Sequence, residues 1–305
     1  MKSKIIDVLQ NNSAGLSATE IAHKTGINRM TITKYLGIFF ARGLIEKKTI
    51  GPINAWYLAD GVSDIEFPIN YLEIQQKFII AVTHTDENQA RKIIISALNS
   101  NAEQIRILWD ILLPTINTLN EFYNRGKLGK TELLSMLNII SELTDLVKFN
   151  IQSIPNKSHS FAISLAGSED QIYFAKIGAI ALRILGWNSS YIGNIEQHID
   201  PFFDIDLQRY IAKFCNHKKD IMVVCIHTSK ESSLRFLSIS IKTMKKKIKG
   251  AIYVVASTSS ELTTLSDSLG TDFVSTDVQS LIDWIEYNIK AETSRISYNQ
   301  TNAYE

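Results

Sequence analysis

SATEIAHKTGINRMTITKYLGIFF, residues 17–40, is the stretch whose reading decides the organisation of this chain. Ser17 and Glu20 have the spacing of a capping box, in which the Ser17 hydroxyl takes an orphan helix amide and the Glu20 carboxylate reaches back. The short helix they open should end near Thr25. Gly26-Ile27-Asn28 then reads as a tight turn, with Gly26 supplying a positive φ. A second helix is predicted from Arg29 to Arg42. Its Ile32, Leu36 and Phe39 recur at helical spacing and should face a core. Met30, Thr31, Thr33, Lys34 and Gly37 fall on the opposite and flanking faces. Gly43 should stop this helix, and Leu44–Lys48 leads through Gly51-Pro52 into Ala55–Leu58, a two-stranded hairpin.

A small helical domain that docks on protein has the same outline, and charge separates the two readings. Residues 1–58 hold eight Lys/Arg and three Asp/Glu, a net +5, whereas the remainder, with 24 basic against 28 acidic residues, carries −4. A basic head on a mildly acidic body is the asymmetry of a module that neutralises phosphates. The pattern is that of a winged helix-turn-helix. It resembles the arsenic-type and IclR-type regulator families over about a fifth of the chain. That resemblance implies double-stranded DNA as partner. Thr31, Thr33 and Lys34 would read base edges from the second helix, Arg29 would contact base or phosphate at its start, and Asn28 would sit in the turn before it. Lys24, Tyr35, Lys47 and Lys48 would hold phosphates. A homodimer or higher oligomer is expected, because one such head recognises few base pairs.

With 305 residues the chain has room for two or three domains, and its 45% apolar and 21% charged content is that of an ordinary globular protein. No apolar run approaches the roughly 18 residues that span a bilayer, and Met1-Lys-Ser-Lys4 lacks the apolar core of a signal peptide. A cytoplasmic protein with no membrane association is therefore expected. Cys215 and Cys225, ten residues apart, read as free thiols.

Between Asn70 and Ile151 the sequence is rich in helix formers. Amphipathic segments at Tyr71–Val82, Glu87–Leu98, Glu103–Tyr123 and Lys130–Phe149 predict a four-helix bundle, with a kink or restart at Pro114. From Ser160 the period changes. Short apolar runs at Phe161–Leu165, Trp187–Ile192, Ile221–Ile226, Ala251–Ala256 and Phe273-Val274 alternate with helices at Gln171–Leu185, Leu207–Phe214, Glu231–Lys247, Ser260–Leu269 and Val278–Ile289. This predicts a doubly wound, flavodoxin-like parallel sheet of five strands. The fold class is thus mixed α and α/β, with a head at 1–62, a bundle at 70–152, an α/β domain at 158–290 and a flexible tail at 291–305.

A helical bundle followed by such a domain resembles the cobalamin-binding module of methyltransferases and, joined to DNA-binding heads, of cobalamin-dependent photoreceptor repressors. In the bundle the resemblance rests on Pro114 and on Phe122-Tyr123-Asn-Arg-Gly126-Lys-Leu128. In the sheet it rests on Phe161–Gly167, Leu185-Gly186-Trp187, Tyr191-Ile192-Gly193, Asp220–Cys225 and Leu269–Val274. The cofactor-facing residues depart from the pattern. The family's cobalt-ligating histidine falls on Asp170 and the glycine three residues on falls on Tyr173. Its serine falls on Cys225, its Gly-Gly pair on Ala256-Ser257, its Glu-His pair on Leu133-Leu134 and its tryptophan on Tyr123. On that basis no cofactor is expected, neither corrinoid nor a haem or metal held through Cys225 and His227.

The carboxyl ends of a doubly wound sheet usually form a ligand crevice. Ser168, Glu169, Asp170, His227, Thr228 and Ser257 should rim it, with Tyr123 and Trp109 on the bundle side. The rim suits a small polar ligand, although Ser, Thr and Asp at such junctions also serve simply as helix N-caps. Cys215-Asn-His217 and Cys225-Ile-His227 repeat a C-x-H pattern, but the first pair should lie at the opposite end of its strand from the second. His198, Asp200, Asp204 and Asp206 have no metal-ligand spacing. Lys242–Lys249 reads as a solvated helix face or a secondary DNA contact. No Ser/His/Asp triad, P-loop or GxGxxG is present, so no enzymatic activity is expected. The sequence therefore predicts a DNA-binding regulator whose body oligomerises and senses a small ligand or protein partner without corrinoid. The rival reading is a corrinoid- or haem-carrying light or redox sensor, a methyl-transfer protein, or an adaptor.

Overall fold

A computed structural model of the protein describes residues 2–12, 14–41, 44–50, 53–59, 70–99, 102–151, 157, 159–198, 201–215, 217–245, 248, 250–264 and 270–301. Gly43, the Gly51-Pro52 turn, Asp200, Lys246, Lys247 and Lys249 lie outside these residues. The chain divides into two compact units, 1–150 and 151–305.

The first unit begins with α1 (Lys2–Gln10), α2 (Ala18–Thr25) and α3 (Arg29–Ala41), followed by the antiparallel pair β1 (Ile45–Ile50) and β2 (Ile53–Leu58). Ser17 and Glu20 form the capping box: the Ser17 hydroxyl accepts from the Glu20 amide, and the Ser17 amide donates to the Glu20 carboxylate at 2.7 Å. Gly26 closes α2 in the left-handed region at φ 70°. Ile32, Leu36 and Phe39 are buried with Ile5, Leu9, Leu16, Ile21, Leu44 and Ile45 in one small core. Tyr57 lies across Gly15, so close that an added Cβ would fall 2.5 Å from its ring. At φ 78°, Gly15 also takes a left-handed conformation that a side chain would strain, and any Cβ there would displace the Tyr57 ring.

A helical bundle follows: α4 (Tyr71–Thr83), α5 (Glu87–Asn99), α6 (Gln104–Arg106), α7 (Leu113–Asn124) and α8 (Lys130–Phe149). Between α6 and α7, residues Ile107–Leu112 take up π-helical geometry, and the Leu113 amide donates to the Leu108 carbonyl five residues back. This is the predicted irregularity at Pro114. Proline has no amide to donate and its ring crowds the preceding turn, so the ladder widens by one residue and α7 restarts with Pro114 in its first turn.

The second unit carries β3 (Ser160–Ala166), α9 (Ile172–Ile184), β4 (Asn188–Asn194), α10 (Pro201–Ala212), β5 (Ile221–His227), α11 (Glu231–Lys245), β6 (Ala251–Ser257), α12 (Ser260–Thr263), β7 (Phe273–Ser275) and α13 (Val278–Thr301). All neighbouring strands are parallel, in the order β4-β3-β5-β6-β7. Every residue of β5 is buried, as expected of a continuous apolar run at the centre of a parallel sheet. Met222, Val224 and Ile226 join α10 and α11 in one core. The alternate residues Val223, Cys225 and His227 face the other way. On that side α13 is tied in through Glu286, which accepts from both Lys157 and the Trp187 indole. Where the sequence predicts a loose tail from residue 291, α13 continues to Thr301. No glycine or proline interrupts residues 278–301 to stop it.

Candidate functional site

Two places gather the residues that bear chemistry. One is the carboxyl edge of the five-stranded sheet. At the end of β3 the chain turns at Gly167, whose amide donates to the His227 carbonyl at 2.8 Å. A Cβ at Gly167 would fall 3.0 Å from the side chains of Ser233 and Thr228, so a larger residue there would make both neighbours give way. The close approach brings the β3 and β5 loops together. The buried Ser168 hydroxyl accepts from the Ser229 amide at 3.0 Å, and the Ser229 hydroxyl donates to Asp170 Oδ1 at 2.7 Å. Burial pushes the Asp170 carboxyl up, but hydrogen bonds from Gln171, Ser229 and Ser168 outweigh it and hold the group below the ordinary aspartate value. The Glu169 amide donates to Glu196, which also pairs with Lys230 and raises the affinity of that amine for its proton.

Deeper along the same edge, Thr228 is buried, with its amide on the Ser257 carbonyl and its hydroxyl accepting from the Lys230 amide. Ser257 is buried as well. His227, expected on the rim, lies inside instead at 0% exposure. Its ring sits against α9: a Cβ at Gly178 would stand 3.4 Å from His227 Nε2, and 3.4 Å from Val278 Cγ1 of α13 as well. Among the described residues neither His227 ring nitrogen has a hydrogen-bond partner, and neither does the buried Thr258 hydroxyl. Burial without a partner drives the imidazole pKa down to about 3, so the ring is neutral. Sequence reasoning missed this because the burial of the last strand residue follows from where α9 packs.

The structure thus joins Ser168 and Asp170 through Ser229, and stacks Thr228 and Ser257 behind them. Tyr123, which is half-exposed beneath the Lys130 ammonium at 5.6 Å, belongs to the first unit. Trp109 is half-buried in that unit too. The two C-x-H pairs are separated by the length of β5. Cys225 is fully buried and its thiol is pushed up, while burial and Asp220 raise the Cys215 thiol to about 11. The His217 amide instead donates to Asp220 at 2.6 Å, and His159 Nδ1 lies 2.7 Å from the same carboxylate.

The second place is the outer surface of the head. Lys24, Asn28, Arg29, Thr33, Lys34, Lys47 and Lys48 are exposed, whereas Thr31 and Tyr35 are half-buried. Asn28 caps α3 by accepting from the Met30 amide at 2.8 Å. The Thr33 hydroxyl donates to the Arg29 carbonyl within the helix, leaving its lone pairs outward. On the hairpin, Lys47 and Lys48 lie over the rings of Trp56 and Tyr57 at 5.8 and 5.0 Å, which holds both ammonium groups at the surface. Lys24 reaches Asn12 at 3.1 Å. Met30, placed by the sequence on the outward and flanking faces of α3, is 83% exposed.

No protein-family model matches the sequence, and no curated protein matches it. Among solved structures, the monomethylamine corrinoid protein of Methanosarcina barkeri matches with a TM-score of 0.55 at 10% identity, covering 70% of this chain and 97% of that one. A cobalamin-binding protein from Desulfitobacterium hafniense DCB-2 matches with a TM-score of 0.39 at 12% identity, over 70% of this chain and 97% of its own. The methanol:cobalamin methyltransferase complex MtaBC of Methanosarcina barkeri follows at 0.37 and 11%, over 77% and 83%. The first match establishes that the helical and parallel-sheet body has the fold of a corrinoid protein. The other two fall below the similarity at which a shared fold follows.

That fold likeness corrects the expectation of a body without cofactor, which rested on counting replaced side chains. The replacements remove one mode of cobalt ligation and leave the sheet edge itself intact. A corrinoid is ringed with amides, and the orphaned nitrogens of His227 and hydroxyl of Thr258 fit such a group. Asp170, standing where the resemblance places a histidine, is engaged by Ser229 and Gln171 and offers no nitrogen. No helix among the described residues is long and apolar enough to cross a membrane.

Proposed function

We propose that the protein binds a corrinoid on its α/β body and DNA through its head, as a regulator whose DNA affinity answers to the corrinoid. The single observation that carries the first half is His227, a buried imidazole with two unpartnered nitrogens at the carboxyl edge of a sheet of corrinoid-protein fold. Leaving such a group unsatisfied costs about 1–3 kcal/mol, a cost that a bound amide would offset. His227 and Thr258 would hold the group by hydrogen bonds, while the Ser168–Ser229–Asp170 chain keeps the two flanking loops in place. When bound, a corrinoid supplies cobalt chemistry that responds to light, redox state or alkylation. Titration with hydroxocobalamin, followed by visible absorption and gel filtration, should give a stoichiometric coloured complex. Elution of all the colour apart from the protein would dismiss the reading.

The head sets this reading apart from a methyl-transfer protein. Its exposed Lys24, Arg29, Lys34, Lys47 and Lys48 surround an exposed helix face, as a winged helix-turn-helix needs for phosphates and base edges. Binding of a mixed-sequence duplex should weaken linearly in log–log form as salt rises. A salt-independent or undetectable interaction at low salt would leave the methyl-transfer reading in its place.

A further inference from the structure

At the amino edge of the sheet, roughly 20 Å along β5 from His227, two histidines meet across a buried carboxylate. Asp220 stands just before β5 and is buried. It accepts from the His217 amide at 2.6 Å, and His159 Nδ1 lies 2.7 Å from its other oxygen. Burial pushes the Asp220 carboxyl up, but the hydrogen bonds from His159 and the His217 amide outweigh it and hold the group below the ordinary aspartate value. An ionised carboxylate only accepts, so a neutral His159 ring carries its proton on Nδ1 and presents a lone pair at Nε2. The His159 side chain is 48% exposed, and its backbone is held in the left-handed region at φ 66°, which is uncommon outside glycine. The exposed His217 ring stands 6.4 Å away between centroids and nearly perpendicular.

A carboxylate behind Nδ1, with Nε2 turned outward, is the arrangement that steadies a metal-ligating imidazole. Two imidazoles that share one ion at a tetrahedral angle have centres about 5 Å apart, so the exposed His217 ring has to swing about 1 Å closer. Among the described residues no three His, Cys, Asp or Glu side chains gather as ligands. Water would therefore complete the shell around two nitrogens. The Cys215 thiol, buried and raised to about 11 by burial and Asp220, stays protonated and outside it. Imidazole donors suit zinc, nickel or copper rather than calcium or magnesium. We propose that His159 and His217 form a surface site for a zinc-class divalent ion, with Asp220 as the outer partner that orients His159. The ion would join the entry to β3 to the loop that leads into β5, and its binding requires neither corrinoid nor DNA.

The test is calorimetric titration of the EDTA-washed, full-length protein with zinc chloride at neutral pH. Asp220→Asn should weaken zinc binding roughly tenfold, the scale of a lost outer partner, and His217→Ala or His159→Asn, each removing a ligand, by at least roughly that much. Asparagine tolerates the left-handed backbone at 159, and both histidines are exposed, so these two variants carry the test if Asp220→Asn fails to fold. In histidine NMR spectra zinc should shift the rings of His159 and His217 and leave those of His23 and His84 in place. Zinc affinity that survives both histidine substitutions would put the ion elsewhere and overturn the assignment, as would the absence of zinc binding to the wild type.

Discussion

The head and the sheet edge handle polar chemistry in opposite ways. In the head, Lys24, Arg29, Lys34, Lys47 and Lys48 point to solvent and the core beneath them is wholly apolar. At the sheet edge, Ser168, Thr228, Ser257 and His227 are buried; Ser168 is tied to Ser229 and Thr228 to the Ser257 backbone, whereas the His227 ring nitrogens have no partner among the described residues. A site that works by long-range charge can be built from exposed side chains on a small fold. A site that is to grip a large neutral ligand, as proposed for this edge, would keep polar atoms inside and bear their desolvation while empty.

The contrast can be broken first through pH. The His227 pKa falls from 6.5 to about 3 on burial, so below pH 6.5 the unfolded chain takes up a proton that the folded unit refuses. Stability contributed by the neutral ring is therefore complete above pH 6.5 and is lost as pH falls toward 3, by about 1.4 kcal/mol per pH unit. Denaturant midpoints of the ligand-free protein should show this acid slope, and His227→Leu should flatten it. If the variant keeps the slope, the ring is not the group responsible.

The same substitution sharpens the comparison at neutral pH. Removing two orphaned nitrogens from an apolar seat should stabilise the ligand-free protein by about 1–3 kcal/mol while weakening its hold on hydroxocobalamin, the trade expected of a binding residue. A loss of stability would mean that His227 has partners after all. Gly167→Ala should act in the other direction, costing about 1–3 kcal/mol by forcing a Cβ against Ser233 and Thr228. An unchanged urea midpoint would contradict the tight approach of the two loops.

The head offers the smallest effect. Ser17→Ala removes the cap on α2 and should cost about 1 kcal/mol in thermal melting, with the salt dependence of DNA binding unchanged because no cation moves. A change in that slope would mean that the cap positions the cations as well.

What was legible in the sequence divides along the same line. Strands β3, β5 and β6 were plain as apolar runs, because a central parallel strand is buried on both faces and needs no partner to be recognised. The capping box at Ser17 and the disturbance at Pro114 were equally local, although the π-helical answer to that proline depends on neighbouring helices. The end of α13 was misread, since polar residues at 291–301 are as compatible with helix as with coil. The unpartnered state of His227 was out of reach. It depends on what α9 brings against it, and Gly178 is distant in sequence. The cofactor expectation fails for a related reason: the replaced side chains at the edge were given more weight than the likeness of bundle and sheet to the cobalamin-binding module.

The most direct test is the DNA affinity of the full-length protein at fixed salt, measured with and without saturating hydroxocobalamin. The account predicts a stoichiometric coloured complex whose affinity for duplex differs from that of the ligand-free protein, with DNA shifting corrinoid affinity by the same factor. Stoichiometric corrinoid binding that leaves DNA affinity untouched, or no corrinoid binding at all, would contradict it.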